Sequence, residues 1–129
     1  MSHTYDQTTG VFCNGSTGKY NQSYSGFKGE TDQSKKNSGP IPLGGYTIAN
    51  SCGEKHGRCN LTPDFSNSMF RRNNFQIHGD NDKNDRSASR GCIILGQKDR
   101  ADLKPGDKVT VTKKINDTCF LLYIYSRKN

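Results

Sequence analysis

Apolar positions in this chain come in short bursts separated by Gly, Asn and Asp, and the bursts carry the period of strands rather than helices. Residues 108–114 (KVTVTKK) alternate apolar and polar, as a strand with one buried face does. Residues 119–124 (CFLLYI) are continuously apolar, which predicts a strand buried on both faces. The turn at 115–117 then joins strands at 108–114 and 118–125 into a hairpin. Four more strands are predicted at 10–13, 46–50, 74–78 and 92–95. The segment Gly39-Pro40-Ile41-Pro42-Leu43-Gly44-Gly45 cannot be helical and reads as a rigid turn leading into a strand. Only 98–103 (KDRADL) looks helical, and Pro105-Gly106 closes it. The polar stretches 30–38 and 79–87 are loops. The sum is one mostly β domain over residues 1–129, a small barrel or sandwich with at most one or two short helices.

Composition complicates this reading. Leu, Ile, Val and Phe number only 22 of 129 residues, and the formal net charge is +7. Such values lean toward disorder, but clustering of the few apolar residues into strand-like runs argues for a fold. Five cysteines offer covalent support for a thin core. The basic balance suits anionic surroundings such as cell-wall polymer. Nucleic acid is not the expected partner, because the cations are dispersed in pairs (Lys35-Lys36, Arg71-Arg72, Lys113-Lys114) with no binding motif around them. Each pair reads as a solvated face.

No apolar run approaches the ~20 residues of a transmembrane helix. The polar N-terminal stretch MSHTYDQTTG lacks the apolar core of a signal peptide, and His3 within it is expected to have no fixed place. Set beside cysteines that look bridged, this predicts a protein made in the cytoplasm and delivered elsewhere by another route.

Candidate chemistry sits in two segments. Phe75-Gln76-Ile77-His78-Gly79 ends a strand on a histidine followed by a glycine and a polar loop. Ser89-Arg90-Gly91-Cys92-Ile93-Ile94-Leu95 opens a buried strand on a cysteine directly after a glycine. Each alone has a bland explanation: a surface histidine, or a structural cysteine. Together they supply a thiol nucleophile and the base that it needs. Neighbouring strands would bring them together, with the loop between arching over the site. The amides of Gly91 and Cys92 would face the oxyanion, and the carbonyl or hydroxyl of Ser89 would fix the tautomer of His78.

These residues resemble a known signature. His78-Gly79, a spacer, then Ser89-Arg90-Gly91-Cys92-Ile93 is similar to the catalytic motif of the L,D-transpeptidase (YkuD-like) superfamily. Gly39 to Ile48 (GPIPLGGYTI) resembles a segment of its DUF2778-type branch, which includes type VI secretion L,D-transpeptidase effectors, and Tyr5 to Gly10 and Tyr24-Ser25-Gly26 are similar to that branch's N-terminal strands. The resemblance implies a β-rich enzyme that cuts peptidoglycan stem peptides after diaminopimelate and releases D-alanine through an acyl-cysteine. It makes Cys92 the nucleophile, His78 the base, Gly91 the oxyanion residue and Ser89 the support of the histidine. It also implies delivery by the type VI secretion machinery into the periplasm of target bacteria and a cognate immunity protein in the producer. No cofactor and no metal are called for. Two departures stand out: Arg90 and Ile94 occupy positions where many members carry His and Arg. Arg90 or Arg86 then becomes the candidate ligand for a substrate carboxylate, with Gly79 beside them.

Cys52 and Cys59 frame a short loop and read as a disulfide; the alternative, a metal held by Cys52, His56 and Cys59, lacks a fourth ligand. By elimination Cys13 and Cys119 are left to pair, with Cys92 free, the connectivity staying open. The competing class of function is a basic, disulfide-supported module that holds cell-wall polymer without cutting it. That class gives no reason for the pairing of His78 with Cys92.

Overall fold

The computed structural model describes residues 1–54 and 57–113. Nine strands form it: β1 (Ser2–Asp6), β2 (Val11–Cys13), β3 (Tyr20–Gln22), β4 (Tyr24–Ser25), β5 (Gly44–Ile48), β6 (Cys59–Pro63), β7 (Gln76–His78), β8 (Ile93–Ile94) and β9 (Lys108–Thr112). A 3-10 turn at Phe27–Gly29 and one short helix, α1 (Gln97–Ala101), complete the elements. The strands hydrogen-bond in the order β3-β2-β1-β9-β5-β6-β7-β8-β4, a nearly closed, barrel-like sheet. The mostly β architecture read from the sequence is therefore the observed one.

Strand patterning explains which faces turn inward. In β9 the valines Val109 and Val111 are buried while Lys108 and Thr110 face out. Opposite them, β5 contributes Tyr46 and Ile48, registered so that Tyr46 lies across from Val109. Ile77 of β7 and Ile93 of β8 sit directly opposite each other in a parallel pair, and both are completely buried. Each such aliphatic side chain stabilises the fold by about 1.5–3 kcal/mol relative to exposure. The Gly39–Gly45 segment is irregular until β5 begins, and Pro42 O accepts a hydrogen bond from the buried hydroxyl of Tyr46 at 2.7 Å.

Four expectations need correction. β1 was not predicted from the apolar pattern, because its sequence SHTYD is polar, and only Tyr5-Asp6 was covered by the family resemblance; it lies between β2 and β9. His3, expected to have no fixed place, is buried, with Nε2 2.7 Å from Asp107 Oδ2 and Nδ1 accepting the Gly15 amide at 3.1 Å. An acceptor Nδ1 means that Nε2 carries the proton and donates it to the carboxylate. β6 was also missed, although Cys59 and Leu61 alternate with exposed Asn60 and Thr62 in strand fashion. Finally Arg72, read as a solvated charge, is 7% exposed. The hairpin partner expected at 118–125 lies outside the described residues.

Cys52 and Cys59 are disulfide-bonded, which takes both sulfurs away from the metal alternative. Cys13 is also disulfide-bonded; its expected partner, Cys119, falls outside the described residues. Cys92 is a free thiol.

The His3–Asp107 pair generates a prediction. Burial holds the His3 imidazole below its ordinary range. At Asp107 burial works upward, but hydrogen bonds from His3 and the Lys104 amide outweigh it and hold the carboxyl low. Both groups therefore bind protons more readily in the unfolded chain, so stability is full above pH ~6.5 and falls as pH drops. Asp107→Asn should destabilise by about 1.5–3 kcal/mol in urea titrations and steepen the fall of the melting temperature between pH 6.5 and 4, because it removes the partner that works against burial at His3. A melting temperature in the parent that rises on acidification would contradict this account.

Candidate active site

His78 and Cys92 are brought together by the β7–β8 pair. Ile77 aligns with Ile93, and His78 with Ile94. Since Ile77 and Ile93 both point into the core, strand alternation sends His78 and Cys92 to the opposite face, where they are diagonal neighbours. Both line one cleft of about 370 Å³, together with Phe75, Asn74, Ala88 and Arg90.

His78 is buried at 7% exposure, and its Nδ1 lies 2.8 Å from Gly79 O. A carbonyl can only accept, so Nδ1 carries the proton and Nε2 keeps its lone pair. Burial pushes the imidazole below the ordinary histidine range, and Arg58 and Arg100 push the same way against the Gly79 hydrogen bond. The half-buried thiol of Cys92 is pushed up by burial, an effect countered in part by the Gln76 backbone and the charges of Arg58 and Arg72. The resting pair is thus a neutral imidazole and a neutral thiol rather than a preformed ion pair.

The turn that presents Cys92 is fixed from behind. Ser89, fully buried, accepts the amides of Gly26 (2.9 Å) and Gly91 (3.1 Å) and donates to Cys92 O (2.6 Å). Ser25 Oγ donates to Gly91 O (3.0 Å) and accepts the Ile41 amide (2.8 Å). Gly91 has φ 142, and a Cβ there would lie 2.6 Å from a guanidinium nitrogen of Arg72 and 2.8 Å from the Phe75 ring. Only glycine fits that close approach.

Arg72 is the residue that sequence reasoning missed. Its guanidinium donates to Gln33 O (2.6 Å), Pro40 O (2.8 Å), Gly39 O (2.9 Å) and Arg90 O (3.1 Å), and it stacks 5.1 Å from the centre of the Phe75 ring. It ties the 30–40 loop to the turn before Cys92. The available signal was the carbonyl-rich Gly-Pro-Ile-Pro turn, which needs donors that its own prolines cannot provide.

The remaining candidates are placed as follows. Ser89 spends its hydroxyl on the turn, and the Nδ1 contact on His78 is made by Gly79 O, which differs from the tautomer support expected of Ser89. Gly91's amide goes to Ser89 Oγ, so it is not turned to the cleft as an oxyanion donor. Arg90 lines the cleft, with its guanidinium 4.7 Å over the Phe27 ring and 3.2 Å from Asn37 O. Arg86 lines two other hollows, beside Tyr24 and Asn84 and beside Tyr5 and Glu30, rather than the Cys92 cleft. Tyr24 Oη pins the 79–88 loop by donating to Asp80 (2.6 Å) and accepting the Ala88 amide (3.2 Å).

A barrel-like β sheet with a free cysteine and a histidine on one cleft defines the class of arrangement, and comparison with protein families gives it a place. The Tlde1 domain model matches residues 19–117, so the chain belongs to the Tlde1 domain family, a family of type VI secretion L,D-transpeptidase effectors. Neither the curated proteins nor the solved structures give a match. No helix among the described residues is long and apolar enough to cross a membrane.

Arg72 supplies the prediction here. Arg72→Met keeps the stem volume but leaves four carbonyls without their donor. At about 1–3 kcal/mol for each buried group left unsatisfied, destabilisation in urea titrations should reach at least ~3 kcal/mol. Arg72→Lys should recover only part of it, because an ammonium cannot span the same fork. A methionine variant as stable as the parent would show that these bonds contribute nothing net.

Proposed function

We propose that the protein is an antibacterial effector that cleaves the diaminopimelate–D-alanine bond of peptidoglycan tetrapeptide stems through an acyl-enzyme on Cys92. The observation that carries this reading is the shared cleft of Cys92 and His78, with the free Nε2 lone pair on the histidine. Membership of the Tlde1 domain family supports the substrate class and the route of delivery.

In the reaction the Cys92 proton passes to His78 Nε2 while sulfur bonds to the scissile carbonyl carbon and the carbonyl electron pair moves onto oxygen. The Cys92 amide stabilises that oxyanion, the Gly91 amide being engaged by Ser89. Collapse breaks the C–N bond, and the D-alanine amine leaves with the proton from His78. The thioester is then attacked by water, by a D-amino acid or by the amine of another stem, His78 taking the incoming proton; collapse breaks the C–S bond, and His78 returns the proton to the Cys92 sulfur. Carboxypeptidase, exchange and crosslinking products thus come from one intermediate. Secretion machinery carries the protein to the target periplasm, and an immunity protein in the producer blocks the cleft.

Product analysis of purified muropeptides tests this. Cys92→Ala should fold and convert no tetrapeptide to tripeptide, and His78→Ala should lose roughly 10²–10⁴-fold. Turnover by the alanine variant at parent rate would refute the mechanism. The low imidazole pKa adds a pH signature: kcat/KM should hold down to below pH 6.5 and then fall as His78 is protonated. An acid limb centred above pH 7 would show that another group is the base. In cells, cytoplasmic expression should be harmless and export to the periplasm damaging; equal toxicity in both would exclude a wall target.

A further inference from the structure

The Cys92 cleft has cations on its wall and no acid among its lining residues. Three cations line it: Lys36, Arg72 and Arg90. Their hydrogen-bonding states differ. Arg72 spends its donors on four carbonyls. Arg90 lies flat over Phe27 and reaches Asn37 O. Lys36 is exposed, and among the described residues it has no acidic partner within ion-pair distance. Its neighbour Lys35 does have one, Glu30 at 2.9 Å.

Lys36 is also held in place. Gly39 N donates to Lys35 O (2.9 Å) and Lys35 N to Asp32 O (3.1 Å), closing turns on both sides of it. Arg72 grips the same loop at Gln33 O and Gly39 O. The ammonium is therefore offered at the cleft from a braced loop, with its stem free to adjust.

We propose that Lys36 is a substrate-binding residue that takes a free carboxylate of the peptide bound at Cys92. This deepens the reading of the cleft as a peptidoglycan-peptide site, which the stem peptides' carboxylates fit. A compact, strongly hydrated ammonium on a flexible stem suits a ligand whose carboxylate approaches from solvent. The surrounding amides of Asn37, Asn73 and Asn74 add hydrogen-bonding groups without opposing charge.

The test reads the thiol itself, so it is independent of whether the protein turns over stem peptides. Alkylation rates of Cys92 by iodoacetate and by iodoacetamide are measured by mass mapping, and their ratio is compared with that of glutathione. The two reagents differ in presenting a carboxylate or a neutral amide close to the same reacting carbon. The ratio in the parent should exceed that of glutathione. Lys36→Met should lower it by about two- to five-fold, the range expected of one solvent-exposed ion pair. Lys36→Glu should lower it further, Lys36→Arg should retain it, and added salt should erode it in the parent. An unchanged ratio in Lys36→Met overturns the proposal, including the case where both rates fall together. Loss of stem-peptide turnover in a protein that keeps the Lys36-dependent ratio would instead refute the proposed reaction and leave this site standing.

Discussion

A single buried guanidinium, that of Arg72, joins the parts of this protein that must stay in register for the cleft to exist. It is 7% exposed and donates to carbonyls at Gln33, Gly39, Pro40 and Arg90, which belong to two segments at least fifty residues apart in sequence. One of those carbonyls directly precedes Gly91, and the guanidinium occupies the space a side chain at Gly91 would need. The glycine before Cys92 and the arginine behind it are therefore one device. Ser25 and Ser89 finish it by taking up the remaining polar groups of the turn.

The same strategy explains how so little apolar material sustains a fold. Arg100, 2% exposed, donates to Leu95 O (2.6 Å), Glu54 O (3.0 Å) and Cys52 O (3.1 Å), binding the disulfide loop to the end of β8. His3 and Asp107 join the first strand to the start of the last described one. Among the described residues, no buried side-chain nitrogen or oxygen lacks a hydrogen-bond partner. Buried polar groups destabilise when left unpaired and hold a unique geometry when fully paired. Here they cross-brace a sheet whose shortest strands, β4 and β8, are only two residues long.

Legibility in the sequence followed the physics of each element. β9 and the Ile93–Ile94 strand were visible because period-two alternation and a continuous apolar run are local signals. That His78 and Cys92 share one cleft was legible because each sits at a strand end beside a glycine, and the family motif added to that. β1 left no mark in the apolar pattern: its stability comes from pairing on both sides, with β2 and with the distant β9, and only the family resemblance touched its last two residues. Arg72 was hidden for a related reason. Nothing in Arg71-Arg72 separates a solvated arginine from one whose donors meet carbonyls thirty to forty residues upstream. The tautomer partner was misassigned to Ser89 because a carbonyl adjacent to the histidine itself, that of Gly79, is available at every such position and leaves no mark in composition.

The choice of carbonyls rather than carboxylates around Arg72 has an electrostatic consequence for the cleft. A buried arginine is usually neutralised by an acid, which would satisfy its donors and cancel its charge. Carbonyl acceptors satisfy the donors and leave the charge in place. Beside a thiol that burial pushes up, a retained positive charge works toward the thiolate, and Arg72 is one of the groups that counter the burial effect at Cys92. A carboxylate in its place would add a negative charge next to the Cys92 thiol. The arrangement thus brings structural and electrostatic demands into agreement. The group that fixes the turn is one whose charge works on the Cys92 thiol, held by partners that do not remove it.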